Sequence, residues 1–438
     1  MHLSPMQNNN KTKIRHWDGF RAWVRRLFHV YTQEFVLTVH DKGLLLFFMF
    51  LPFVYPVLYS LIYNPEVVRE VPLIVVDHDR TPLSRKTVRM LDACEQAWVR
   101  GYAPNLTEAR EAMDRGECYA ILEIPEGFER KIGRQETGNA VMYCEMSLLL
   151  RYKALLVATT NVMEEMGSEL MTETVNRVGP LAATITDGNL MPINNASLGN
   201  IKSGFDSFIL PIVIMLILQQ CIVLVVGMAG GAKHENPRLV HYNPDNITKS
   251  TLGTMIGQSL CYITILFLPT IFMVHFVPMM FRFPMAGNLL QILAFLLPMA
   301  LASIGMGFVF QAVVTERESV FVSWVVTSLF FLLISGAIWP RYDMPAFWRW
   351  LGSIFPGTWG VEGYIKMNGN GARLWQVSGE YLSLWLVAVG WWIAGWCCQK
   401  WIVHPEIMRM QNIRDSVARS FATAHNEALY DEQNEVQG

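Results

Sequence analysis

Chemically capable side chains are few and dispersed along this chain. The densest group of metal-ligating types is Asp77-His78-Asp79. Neighbouring residues on an extended chain point to opposite faces and converge poorly on one ion, so the triplet reads as a polar turn rather than a metal site. Seven cysteines form no CxxC pair and no Cys/His ligand spacing, which argues against zinc. Three of them, Cys94, Cys118 and Cys144, share one polar stretch where a disulfide can form; the odd total and irregular spacing favour free, buried thiols. No Gly-x-x-x-x-Gly-Lys-Ser/Thr run occurs, so the chain has no loop to cradle nucleotide phosphates. No nucleophile elbow, HExxH or GxGxxG stands in a convincing setting and the histidines are scattered. No catalytic residue, metal or cofactor bound by this chain is expected.

Polar side chains inside apolar runs are the remaining candidates. Gln219 and Gln220 lie deep in one such run, and Gln258 and Gln291 nearer the ends of two others. Polar groups in lipid face protein or a wet path. Two roles stand side by side for Gln219 and Gln220: lining a path or joining two protomers, and hydrogen-bonding helices within one bundle. Gly227, Gly230, Gly231, Gly305 and Gly307 read as points of close helix approach. No Asp or Glu sits at mid-depth, which disfavours a proton-coupled carrier needing a titratable relay.

The elements that carry these residues follow from composition. The chain is 438 residues long, 52% hydrophobic and 16% charged, with a net charge of −2. That charge fraction is well below the roughly 25% of a soluble domain, and nothing in the balance points to nucleic acid. A bilayer core needs about 20 apolar residues per helix. Six runs meet the requirement: Leu44–Tyr63, Phe205–Ala229, Leu252–Met280, Leu289–Val314, Ser319–Trp339 and Tyr381–Val403. The first starts too late and runs too long for a cleavable signal. Lys11, Lys13, Arg15, Arg21, Arg25, Arg26 and Lys42 precede it, so cations on the inner side place the N-terminus in the cytoplasm. Six spans return the C-terminus there, near Lys400, Arg409, Arg414 and Arg419. Arg341, Arg349, Lys366 and Arg373 then fall outside, against the trend. Phe20, Trp23, Val24, Leu27, Phe28, Tyr31 and Phe35 recur at spacings of three and four, an amphipathic helix in the headgroup plane.

Between the first two runs, 64–203 is polar and patterned differently. Val71–Val76, Ala97–Tyr102, Cys118–Ile124 and Ala140–Met146 read as strands. Helices are expected at Pro82–Asp92, capped by Thr81 or Asp79, and from Asn105 to about Arg115. The alternation implies a small α/β sheet, followed by helix from Leu148 to about Val178. The chain therefore divides into 1–43 with the amphipathic helix, 44–63 as first span, 64–203, 204–403 holding five spans, and a polar tail at 404–438 that ends disordered beyond a short helix.

VPLIVVDHDRTPLSRKTVRMLDA followed by LTEAREAMDRGECYAILEIPEGFERKI resembles the periplasmic domain of type-2 ABC transporter permeases of the drug and lipid export class. Val75, Asp77, Asp79, Ser84, Gly116, Ile124, Pro125, Gly127 and Phe128 occupy the positions of that family's turn and Ile-Pro-x-Gly-Phe corner. The likeness covers roughly residues 40 to 403. It implies a membrane all-α bundle of six transmembrane helices with a re-entrant segment before the last, at Ser335–Pro340 and Phe355–Gly360, plus an inserted α/β periplasmic domain. Lys233, His234, Glu235 and Arg238 stand where the family carries an ATPase-coupling loop, although its usual Gly-Thr is missing. Glu316, Arg317 and Glu318 form a second short inner loop.

The resemblance implies an inner-membrane export subunit for a hydrophobic or amphipathic molecule, with no catalysis of its own. ATP and Mg belong to a partner ABC ATPase subunit. A second permease copy or a paralogous permease completes the pathway, with Gln219, Gln220, Trp324 and Phe331 at the path or the dimer interface. A periplasmic adaptor, an outer-membrane channel and membrane lipids are further implied partners. A membrane-anchored receptor or scaffold without transport is the alternative, though six spans exceed what anchoring requires.

Overall fold

The computed structural model describes residues 8–63, 68–134, 136–145, 149–178, 204–235, 251–314, 316–336, 338–410, 412–413, 415–417 and 419–420. The chain divides into two compact units, 65–197 with 203–205, and the remainder.

The smaller unit is the expected α/β sheet. Its strands are β1 (Val71–Asp77), β2 (Ala97–Tyr102), β3 (Ala120–Ile124) and β4 (Val141–Cys144), in the order β2-β1-β3-β4. β1 pairs parallel with β2 and β3, and β4 closes one edge antiparallel to β3. Helices α3 (Pro82–Asp92) and α4 (Leu106–Asp114) make the parallel crossovers, a short α5 (Phe128–Gly133) follows β3, and α6 (Leu149–Val178) follows β4. The central strand β1 is apolar on both sides, as a strand covered on two faces must be. Val71, Leu73 and Val75 pack with Val88, Leu91, Phe128, Leu155 and Ala158, while Ile74 and Val76 pack with Ala109, Ala112 and Ile121. Thr81 caps α3 and shares a capping box with Ser84, with Pro82 in the first turn. The third and fourth strands are shorter than expected: Cys118 precedes β3, and Glu145 follows β4.

The larger unit is helical. It begins with α1 (Asn8–His40) and α2 (Lys42–Tyr63), separated by Asp41, whose Oδ1 accepts from the amides of Gly43 and Leu44. It continues with α7 (Phe205–Glu235), α8 (Thr251–Phe281, with a π turn over Phe272–Phe276), α9 (Leu289–Val313) and α10 (Arg317–Ile334). Two shorter helices, α11 (Ala346–Ser353) and α12 (Pro356–Asn370), precede α13 (Ser378–Cys398), which runs on through a π turn at Gln399–Val403. Five helices among the described residues are long and apolar enough to cross a membrane, namely α2, α7, α8, α9 and α13 with its continuation.

The fifth expected span, Ser319–Trp339, is corrected. Its helix ends at Ile334, and only the shorter stretch Ser319–Ile334 is apolar helix. The Ser335 hydroxyl folds back to the Leu332 carbonyl, and Gly336 takes φ +86°, a left-handed conformation that a residue without Cβ adopts readily.

Helix α7 is the centre of this unit, buried around nearly its whole circumference. Glycines set the approach of its neighbours. A Cβ on Gly307 of α9 would lie 2.7 Å from Val226, and one on Gly227 would lie 2.9 Å from Val320 of α10. A Cβ on Gly305 would lie 3.0 Å from the backbone of α13 at Trp391, whose neighbour Trp392 donates its indole N–H to Leu301 O at 2.9 Å. This is the close small-residue packing that membrane helices use in place of a hydrophobic driving force.

Candidate functional site

The expected coupling loop at 233–238 is also corrected. Lys233, His234 and Glu235 form the last turn of α7, and Arg238 lies outside the described residues. The helix continues because Lys233 is held from the side. Its ammonium donates to both carboxylate oxygens of Glu34 at 2.7 Å, and the pair is nearly sealed, 5% and 1% exposed. Tyr262 donates its hydroxyl to the same carboxylate, and Gln258 donates its amide at 3.4 Å. Carboxylate and ammonium thus share four hydrogen bonds from three helices, which is how a buried pair offsets the cost of leaving water. Removing charge from either member alone would strand the other.

Helix α1 delivers Glu34 on the face that packs inward, while Arg21, Arg25 and Arg26 stay exposed. Val30, Glu34 and Thr38, four apart, share one face, and Gly257 of α8 receives it: a Cβ there would meet Val30 at 2.9 Å and the Leu27 carbonyl at 3.1 Å. The aromatic stripe expected on this helix faces out. Trp23, Val24, Phe28 and Phe35 are exposed, and Phe28, Tyr31 and Phe35 stack in sequence with centroids 6.0 and 6.1 Å apart.

The two segments expected to couple lie at the same end of the bundle. Gln311, near the end of α9, donates to the Val226 carbonyl at 2.5 Å and accepts from Gln399 at 2.6 Å. Gly230, one turn before Lys233, faces Gln311. Glu316 caps the start of α10 and is exposed, with the Ser319 hydroxyl at 3.5 Å; Arg317 and Glu318 begin that helix, and their side chains lie outside the described set. Glu235 is exposed, whereas His234 is buried with neither ring nitrogen hydrogen-bonded.

Gln219, Gln220, Trp324 and Phe331 divide into two pairs. The Gln219 carbonyl accepts from the Gly357 amide at the start of α12. Phe331 is buried beside that segment, its ring 4.6 Å from Phe355. Gly357, Gly360 and Gly363 turn one glycine face to Gln219, Met299 and Phe295, leaving no room for a side chain. Gln220 and Trp324 instead line a cavity with Leu51 and Tyr55 of α2.

Beyond α10 two of the four cations expected to offend the charge rule, Arg341 and Lys366, are ion-paired. Arg341 donates to Glu362 at 2.9 Å and to Ser353 at 2.7 Å, and lies 4.2 Å over the Trp359 ring. Lys366 pairs with Glu380.

In the sheet unit the motif residues meet in one knot. Asp77 Oδ1 accepts from the amides of Asp79 and Arg80 at 3.0 and 2.9 Å, and its Oδ2 accepts from the Ser84 hydroxyl at 2.7 Å. Asp79 reaches across to the corner after Pro125. Its carboxylate accepts from the amides of Gly127, Phe128 and Glu129 at 2.8, 3.1 and 3.0 Å, and from the Thr81 hydroxyl at 2.6 Å. Burial alone would push this carboxyl up, but the Thr81 and amide hydrogen bonds outweigh it and hold it below its ordinary value. The carboxylates are consumed in the turn, and no group of three or more His, Cys, Asp or Glu able to hold a metal ion occurs among the described residues. All seven cysteines are free thiols.

Glu34 and Tyr262 were not singled out from sequence. The available signal was that Glu34 is the sole acid between Asp18 and Asp41, set on a helix whose other charges there are basic. Residues 42–397 match the family model described as ABC-2 family transporter protein. No curated protein matches the chain.

Proposed function

The chain belongs to the ABC-2 family of transporter proteins, which makes it the membrane subunit of an ABC transporter, and from that premise we propose that it is the permease of an ATP-driven exporter for a hydrophobic or amphipathic molecule. A separate ATPase supplies the energy, and a second copy or a paralogue completes the path. The N-terminus, the Glu235 end of α7 and, with the shorter α10 counted as a sixth crossing, the C-terminus face the cytoplasm of a bacterial inner membrane. The sheet unit lies on the periplasmic side, where an adaptor leading to an outer-membrane channel would meet it. The cluster of cations before α2 supports this orientation, while Arg341, Arg349, Lys366 and Arg373 count against it.

The observation that carries the reading is the arrangement of α7. Its exposed Glu235 is a handle for a soluble partner, while Lys233 locks the same turn to α1 and α8. Sixteen residues of buried helix, about 24 Å at 1.5 Å per residue, link that handle to the Gln219–Gly357 contact. A push at Glu235 is therefore felt as a rigid displacement at α12. Glu235→Ala is expected to abolish most ATP-driven transport by the reconstituted complex while leaving the chain folded; unchanged transport would remove the role of this turn.

Orientation has its own test. Tyr102 at the end of β2 is exposed. Tyr102→Cys should react rapidly with a membrane-impermeant maleimide added outside intact spheroplasts. The native Cys94, Cys118 and Cys144 give a low background, since burial raises all three thiols above their ordinary value and only thiolate reacts. Reaction only after lysis would put the sheet unit on the N-terminal side and end the exporter topology.

A further inference from the structure

The cavity between α2, α7 and α10 has a volume of about 260 Å³ and walls that are apolar except at a few points. Two of those points are unusual. Gln220 is 4% exposed, and among the described residues neither its carbonyl oxygen nor its amide nitrogen has a hydrogen-bond partner. The indole N–H of Trp324 is buried and also lacks one. An amide left unpaired in a dry interior is costly, and buried polar side chains are normally satisfied. Gln219, one residue earlier, is half satisfied: its carbonyl is bound by Gly357, while its amide nitrogen has no partner among the described residues. Among the described residues nothing satisfies Gln220 or the Trp324 indole.

We propose that this cavity binds an uncharged amphiphile, an apolar chain ending in a hydroxyl or amide group, and this rests on the permease reading given above while adding the class of cargo. The donor and acceptor count sets the head group. Trp324 offers one donor, and Gln220 offers two donors and an acceptor. A hydroxyl or amide oxygen accepts from the indole and the Gln220 amide, and its own proton goes to the Gln220 carbonyl. A carboxylate, phosphate or sulfate has no proton to return and would bring a net charge into a site whose lining holds no charged residue. Burying that charge unpaired is prohibitive. The volume falls just below the usual range for small-ligand pockets, enough for the head and the first part of a chain. Tyr55 and Leu329 line the cavity and are exposed, so the rest of the chain leaves between α2 and α10.

The test uses two photoreactive probes with the same diazirine-bearing hexadecyl chain, one ending in a hydroxyl and one in a sulfate ester. Each is added to the full chain in phosphatidylcholine nanodiscs, and cross-linked peptides are mapped. The alcohol should label peptides of α7 and α10 that contain Gln220 or Trp324, and the sulfate should label them at least about tenfold less. Gln220→Leu and Trp324→Phe should each lower alcohol labelling about three- to tenfold, the equivalent of one hydrogen bond. Gln220→Leu should leave the thermal midpoint equal or higher, because it removes an unpaired buried amide. Equal labelling by both probes, or labelling indifferent to Gln220→Leu, overturns the site. So does efficient cross-linking of two Gln220→Cys copies with no alcohol labelling, which would make the cavity a contact between protomers. Labelling as expected without ATP-driven movement of the alcohol in the reconstituted complex keeps the site and removes the exporter reading.

Discussion

Glu34→Leu is expected to destabilise the helical unit by about 3–5 kcal/mol, the cost of leaving a buried ion without its partner. The stranded group is Lys233, 5% exposed, whose ammonium donates to both carboxylate oxygens of Glu34. Lys233→Met should cost a similar amount, because it strands the carboxylate without its cation, leaving it neutral donors such as Tyr262 and Gln258. The double variant separates this from ordinary packing loss. Replacing both ions by apolar groups removes the desolvation penalty along with the attraction, so it should recover most of the loss and give a coupling energy of several kcal/mol. Detergent-solubilised chain unfolded by heat or denaturant would read it. Additive effects would mean that the pair carries no mutual energy. Stability recovered without ATP-driven transport would further show that the ions serve motion rather than folding.

This pair also marks where sequence reasoning runs out. Helix α1 was legible from its spacing of three and four, and the cations around it fixed a polar surface. The aromatic stripe was read as facing the headgroup plane, and Trp23, Phe28 and Phe35 are exposed; what was not legible is that Glu34 goes inside. Hydropathy counts apolar residues but does not say whether a polar residue has a partner elsewhere in the chain, and here the partner is 199 positions away. The glycines are a counter-example. Gly227, Gly230, Gly305 and Gly307 read as close approaches, with a hinge as the lesser alternative, and a Cβ on each would meet a neighbour.

Gln219 and Gln220 show the same limit at higher resolution. Adjacent on a helix, they point about 100° apart, so they cannot share a role, yet the sequence presents them as a pair. The structure gives one to a helix–helix hydrogen bond and the other to a cavity. The α/β unit was the most legible part. Its strands and helices are local in sequence, its apolar runs are short, and Thr81-Pro82 announces a helix start by its own chemistry. The end of α10 was less so, because Ser335–Trp339 is apolar enough to continue a helix, and only the positive φ of Gly336 shows that it stops.

In the sheet unit the largest single effect is expected at Asp79. Asp79→Ala removes the acceptor for three backbone amides and the Thr81 hydroxyl at once. Hydrogen bonds to a charged group contribute about 1.5–3 kcal/mol each at most. The carboxylate is only half-buried and water replaces part of the loss, so about 3 kcal/mol in total is the expected cost. The loss should be local first: the amides of Gly127, Phe128 and Glu129 exchange with deuterium faster while β1 stays protected. The Gly127 corner needs this anchor, since it caps α5 at φ +78° and a Cβ there would lie 3.0 Å from Arg130. Acid should mimic the substitution. The folded carboxyl lies below its ordinary value, so its contribution is complete above the unfolded value near 4. It is lost as pH falls through the lower folded value. Wild-type protection at the corner should therefore fall on acidification below about pH 4, and Asp79→Asn, which cannot titrate, should show a flatter pH profile in the same range. A wild-type profile as flat as that of the asparagine variant would mean that the Asp79 charge does not hold the corner.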